Sequence, residues 1–340
     1  MYNISLITGD GIGPELSESA ISVLDTIHDK LGLQFSVKKL QAGDEALQQT
    51  GKALPQETLE SIKRSHACLK APVGESAADV IVRLRRMLDL YANIRPAKSY
   101  PNMHALRDDI DLVIVRENTE DLYTGDEFDI DENTSIALRK ISSQASKRIA
   151  KYACVIAEQR NQKKKITCVH KSNVMRKTDG LFSKTCEAEI RSHSGIVFEQ
   201  MYVDACAMNL IRQPQSFDVI VTTNLFGDIL SDEAAQVVGG LGMAPAANIG
   251  DNFALFEPVH GAAFDIAGKQ IANPSSFILS IKMMLDWLGM KNNDKKCIDV
   301  AGKLESAVYG IVKNGIKTKD IGGNKTTREF TKEIISKLAS

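Results

Sequence analysis

The spacing of apolar residues changes several times along the chain, and each change predicts an element. ISLIT (4–8) is a short aliphatic run closed by the glycine turn GDGIGPE (9–15), which predicts a buried strand. LSESAISVLDTIHDKLG (16–32) then repeats apolar residues at helical spacing and predicts an amphipathic helix closed by Gly32. FSVKKLQAG (35–43) and HACLKAPVG (66–74) read as strand-to-loop units, and RLRRMLDLYAN (83–93) as a helix. DLVIVREN (111–118), KKITCVHKSN (164–173), IVFEQMYVD (196–204) and FDVIVTTN (217–224) continue the strand series, with a helix over QASKRIAKYACVIAEQR (144–160). Alternating strands and helices predict an α/β fold, and no fixed-period repeat or low-complexity tract interrupts them.

Length and composition narrow the class of protein. With 340 residues and 43% hydrophobic content the chain can build more than one core layer, and two domains are expected. Its 42 Lys and Arg nearly cancel 43 Asp and Glu, which argues against a nucleic-acid partner. Cys68, Cys154, Cys168, Cys186, Cys206 and Cys297 form no CxxC pair and lie mostly in apolar runs, as expected of a reduced, cytoplasmic protein. The first residues show no leader pattern, and no apolar run reaches about 18 residues, so secretion and membrane insertion are disfavoured.

Candidate chemistry begins with Asp228 and Asp232 in NLFGDILSDEAAQ (224–236), four residues apart on one face of a predicted helix. Two carboxylates so placed either form a solvated acidic face or share a cation, and a hard divalent ion is the obvious candidate. A third carboxylate, Asp204, ends another apolar run and strengthens the metal reading. Arg85, Arg95 and Arg116 can each fork onto a carboxylate, which suits a dicarboxylate substrate, although arginine is more often simply exposed. Tyr123 could donate a proton or merely pack, and Lys171, just past the strand ITCVH, could act as a base or remain a solvated charge. Gly9, Gly11 and Gly13 do not have GxGxxG spacing, so they make a weak dinucleotide fingerprint. Tight backbone approach explains them equally well.

Taken together, GDGIGPE, RRMLDLYANIRPAKS (85–99), VRENTEDLY (115–123), NLFGDILSDEAAQ and EPVHGAAFDIAGKQIANP (257–274) resemble the β-decarboxylating dehydrogenases across essentially the whole chain. This is the family of isocitrate, 3-isopropylmalate, homoisocitrate and tartrate dehydrogenases. The resemblance implies a two-domain α/β fold with a large mixed sheet, distinct from the Rossmann fold. One domain would comprise residues 1–90 plus 239–340 and carry both termini and the cofactor side; the other, 91–238, would carry substrate, metal and dimer contacts. It further implies that Arg85, Arg95 and Arg116 grip the malate part of the substrate, and that Lys171 and Tyr123 act as base and acid. Asp204, Asp228 and Asp232 would hold Mg²⁺ or Mn²⁺, with Asp204 also touching substrate. Lys171 and Asp204 would come from the second subunit, so a homodimer is implied, with a tetramer open.

The same resemblance places an NAD adenosine site at His260, Gly261, Asp265, Ile266 and Asn273. A carboxylate at Asp265 accepts ribose hydroxyls and repels a 2′-phosphate, hence NAD rather than NADP. Ala262 and Phe264 depart from the usual HGSAPDIAGK pattern. Substrate choice rests on the helix face shared with Arg85, namely Ala78, Ile81 and Val82, which is apolar, while Arg83 lies about 200° round the helix from Arg85 and should point elsewhere. Burying an isopropyl group on that face is favourable by roughly 2 kcal/mol, whereas an unpaired carboxylate there costs several. The expected reaction is NAD-dependent oxidative decarboxylation of (2R,3S)-3-isopropylmalate, a step of leucine biosynthesis. Homoisocitrate, isocitrate or a broad set of hydroxy acids is the alternative within catalysis, and a non-catalytic regulatory subunit the alternative outside it.

Overall fold

The computed structural model describes residues 1–340. Its strands are β1 (Tyr2–Ile7), β2 (Phe35–Leu40), β3 (Ala67–Lys70), β4 (Ala92–Lys98), β5 (Asp111–Glu117), β6 (Glu127–Asp131), β7 (Thr134–Ala137), β8 (Lys165–His170), β9 (Val197–Tyr202), β10 (Val219–Thr222), β11 (Pro245–Ile249) and β12 (Ala254–Pro258). Its helices are α1 (Gly13–Leu31), α2 (Asp44–Thr50), α3 (Gln56–Lys63), α4 (Ala77–Met87), α5 (Ser143–Arg160), α6 (Thr178–Arg191), α7 (Val203–Arg212), α8 (Asn224–Val237), α9 (Ser275–Asn292), α10 (Lys295–Lys313) and α11 (Thr327–Ala339).

Ten strands form one mixed sheet in the order β2-β1-β3-β12-β11-β4-β5-β10-β8-β9, and β6 with β7 makes a separate hairpin. Strands from residues 1–90 and 239–340 fill one half of the sheet, and those from 91–238 the other. The halves meet where β11 pairs antiparallel with β4, Asn248 opposite Asn93. Only β11 with β12, β11 with β4, and β4 with β5 run antiparallel within the large sheet, so its outer strands keep the parallel, two-sided burial of an α/β layer. The sheet has a mixed order distinct from the doubly wound dinucleotide fold.

Local chemistry accounts for the helix ends. Gly32 closes α1 in the left-handed region at φ 63°, Ser142 caps α5 by accepting the Ala145 amide, and Thr326 with Glu329 forms a capping box on α11. No helix is long and apolar enough to cross a membrane.

Two boundaries differ from the sequence reading. The helix expected over 83–93 starts earlier, at Ala77, and stops at Met87, because Asp89 turns to φ 46° and the chain enters β4 at Ala92. Pro96 is tolerated in β4 since the β11 ladder covers only Ala92 to Ile94. The strand expected through Asp204 ends at Tyr202, and Asp204 lies instead in the first turn of α7, where a carboxylate favours the positive end of the helix dipole.

Candidate functional site

Side chains alternate along a strand, so Asn93 and Arg95 of β4 leave the same face of the sheet, beside Asn248 of β11. Arg95 donates to Asn93 Oδ1 at 2.7 Å and Ser231 Oγ at 2.7 Å, and pairs with Asp228 and Asp232 at 3.1 Å each. Arg116, only 1% exposed on β5, forks onto Asn224 Oδ1 at 2.9 and 2.7 Å and donates to Asp228 Oδ1. It also lies over the Tyr123 ring, 5.0 Å from the centroid, and the Tyr123 hydroxyl donates to the other Asp228 oxygen. A side chain at Gly227 would come within 2.5 Å of Arg116, so glycine is what lets α8 approach this strand.

Arg85 joins from α4. Its Nε donates to Asn248 Oδ1 at 2.9 Å, and that same oxygen accepts from Asn93 at 2.7 Å and Asn118 at 3.0 Å. Arg85 and Lys70 flank buried Glu257 at 3.4 and 2.8 Å. Burial pushes the Glu257 carboxyl up, but the two cations more than reverse this and bring it to about 2.

The expected arginines and two of the three expected aspartates therefore converge, and the charges shape one another. Burial raises Asp228, yet Arg116 and Arg95 outweigh it, and its carboxyl titrates below the ordinary value. Asp232, 54% exposed at its side chain, is raised by burial. Desolvation and the neighbouring Arg95 and Arg85 lower Arg116 to about 9. Desolvation raises the Tyr123 phenol, keeping it protonated at neutral pH.

Lys171 and Asp204 are ion-paired with each other, and no three acidic, histidine or cysteine side chains of this chain come together as a metal site. Ile81 is half-buried against the Leu84 and Leu90 cluster. Ala78 and Val82 line an open groove with Leu47 and Leu54, and Arg83 and Arg86 line it too. The apolar face is thus bordered by cations; Arg83 does turn away from Arg85, but into the groove that Val82 borders.

His260, Gly261, Ile266 and Asn273 line one cleft together with Ile12, Ala263 and Asp320. Asp265 is exposed on the adjoining turn and does not line the cleft wall. Asn273 donates to Asp320 at 3.0 Å, and a side chain at Gly242 would collide with that same Asp320 oxygen. The first glycine turn packs here: Gly11 has φ 57°, a Cβ on it would lie 2.1 Å from the Ala262 carbonyl, and Ile12 N–H donates to that oxygen at 2.8 Å. Ala262 is buried at this contact, whereas Phe264 is 57% exposed.

Residues that sequence reasoning missed are mostly neutral amides. Asn224 was accessible, since it shares the i, i+4, i+8 stripe of Asp228 and Asp232. Asn93 was accessible from its two-residue spacing to Arg95. Glu257 opens the stretch EPVHGAAF but was given no role, and no sequence signal marked Asn248 or Asp320.

The sequence model of the isocitrate/isopropylmalate dehydrogenase family matches residues 3–334, and the chain belongs to this family. It is 49% identical over 338 residues to 3-isopropylmalate dehydrogenase of Sulfurisphaera tokodaii, covering 99% of each chain. It is 44% identical over 355 residues to homoisocitrate dehydrogenase of Methanocaldococcus jannaschii, covering 99% of this chain and 97% of the other. The crystal structure of isocitrate dehydrogenase from Methylococcus capsulatus superposes with a TM-score of 0.93 at 39% identity, covering 100% of both chains. The chain is a dehydrogenase.

Proposed function

We propose that the chain oxidises (2R,3S)-3-isopropylmalate with NAD, releasing CO2 and 4-methyl-2-oxopentanoate, as a cytoplasmic homodimer serving leucine biosynthesis. The observation that carries this reading is the convergence of Arg95 and Arg116 on Asp228, with Arg85 tied to the same cluster through Asn248 and Asn93. Arg85, Arg95 and Arg116 bind the two carboxylates of the malate part through charge-assisted forks. The substrate carboxylates displace Asp228 and Asp232 from the guanidiniums, freeing both aspartates.

Asp228 and Asp232, with Asp204 of the second subunit, offer hard oxygen donors suited to Mg²⁺ or Mn²⁺. Such an ion would supply Lewis acidity for the oxidation and decarboxylation, and NAD would serve as the hydride acceptor. Lys171 of the second subunit takes the C2 hydroxyl proton. Tyr123, kept protonated by burial, delivers a proton to C3 after CO2 departs. His260, Gly261, Ile266 and Asn273 hold the adenosine half of NAD, and exposed Asp265 at the rim repels a 2′-phosphate.

The dimer reading draws support from a set of exposed apolar side chains within residues 91–238. Phe128, Ile130, Leu138, Val174, Met208, Ile211 and Ile229 all fall there. The six cysteines are free and buried, in keeping with a reducing compartment.

Arg83 beside Val82 favours a second reading, a broader specificity that admits homoisocitrate or isocitrate. The test of the reaction class is NADH formation and CO2 release from 3-isopropylmalate with Mg²⁺, lost on chelation. No NADH from any of 3-isopropylmalate, isocitrate, homoisocitrate or tartrate would overturn the proposal.

A further inference from the structure

Arg139 leaves the base of the β6–β7 hairpin and enters the interior between three segments. Its Nε and Nη2 donate to Asp121 Oδ1 and Oδ2 at 2.5 and 3.3 Å, its Nη1 donates to Asp179, and Nη2 also reaches Thr223 Oγ1 at 3.0 Å. Both carboxylates are 0% exposed. None of the three side chains hydrogen-bonds to Arg95, Arg116, Asp228 or Asp232, so the triad stands apart from the substrate cluster.

Each carboxylate has a second duty. Asp121 lies two residues before Tyr123 with φ 73° and ψ −150°, a region that costs a non-glycine residue on the order of 1–3 kcal/mol and persists only where the surroundings enforce it. Its oxygens accept the Leu122 amide at 3.0 Å and the Leu225 amide at 3.0 Å, the latter in the first turn of the helix that bears Asp228 and Asp232. Asp179 accepts the backbone amide of Lys171 at 2.5 Å. One guanidinium therefore spans the turn of Tyr123, the start of α8 and the turn of Lys171. A lysine could not replace it, because the guanidinium reaches four oxygens from three nitrogens held in one plane, whereas an ammonium offers three donors from a single atom.

We propose that Arg139 is a positioning residue that sets Tyr123 for the chain's own active site and Lys171 for its partner's, so that one ionic strut in each subunit serves both sites of the dimer. This inference rests on the shared-site reading given above.

Mixed dimers separate the two roles. A subunit with Tyr123→Phe paired with one bearing Lys171→Met keeps a single complete site, made from Lys171 of the first and Tyr123 of the second. Arg139→Lys added to the first subunit then reaches the complete site only through Lys171, and added to the second only through Tyr123 and the start of α8. Either placement is expected to lower kcat by about 100-fold, the scale of an ångström misplacement, with NAD affinity unchanged. The Lys171-side placement should move the acid limb of the kcat–pH profile and the Tyr123-side placement the alkaline limb.

Full activity with Arg139→Lys in either position overturns the strut while leaving the shared site intact. Mixed dimers that show no restored activity before Arg139 is altered overturn both. Where Arg139→Lys fails to fold, Asp179→Asn takes its place, since it keeps an acceptor for the Lys171 amide. It should lower kcat only in the subunit that donates Lys171, and an equal loss from either subunit counts against the strut.

Discussion

Asp228 is an anion held by cations, and its titration has a sign that can be measured. Its folded carboxyl titrates below the ordinary value of about 3.9, so the stability it contributes is present above that pH and is lost as pH falls through the depressed folded value. Asp232 works in the opposite sense: raised by burial, it contributes below the ordinary value and loses that contribution as pH rises through its folded one. Asp228→Asn is expected to flatten the acid limb of Tm against pH, and an unchanged limb would assign acid sensitivity to other carboxylates. The same variant should lose metal-dependent turnover by 100-fold or more, roughly the scale of removing one electrostatic contact to the reacting atoms, while NAD affinity measured by fluorescence stays unchanged. At this scale the charged half of the site was legible, because Arg95, Arg116, Asp228 and Asp232 sit in apolar stretches where a solvated charge is out of place. The amides were not: Asn248 acquires meaning only when strand register sets it opposite Asn93, more than 150 positions away in the chain.

Elements place these side chains through close approach. α8 lies against β5 because Gly227 leaves room for the Arg116 stem, whose Cγ and Cβ would be 2.5 and 2.7 Å from an added Cβ. Gly227→Ala should therefore cost about 1–3 kcal/mol as an overpacked contact and weaken substrate binding by displacing Arg116. A thermal melt together with KM checks this, and an unchanged KM would mean that α8 adjusts without moving the arginine. The long helices and β-branched strands were readable from period and caps, as for α1 with Gly32 and α5 with Ser142. The boundary between α4 and β4 was not, since RLRRMLDLYAN keeps an apolar rhythm across the turn at Asp89, whose left-handed backbone leaves no mark in composition.

At the level of the whole molecule, one continuous sheet carries the arginine cluster at the seam between its halves, and the chain returns to that seam through β11 after building the far half. Alternating strands and helices announced an α/β layer, but PAANI is too rich in small residues to announce the antiparallel strand that joins the halves. The exposed apolar side chains of α7 and α8 have their place in the dimer proposed here. Ile211→Asp is expected to yield monomers by sedimentation, with turnover abolished and NAD binding retained. Active monomers would contradict a site completed by Lys171 and Asp204 of the second subunit. The most direct measurement is kcat/KM of the purified protein with Mg²⁺ and NAD for 3-isopropylmalate, isocitrate and homoisocitrate in parallel. The apolar face of Ile81 and Val82 predicts the highest value for 3-isopropylmalate, and a value for isocitrate or homoisocitrate well above it would contradict the account.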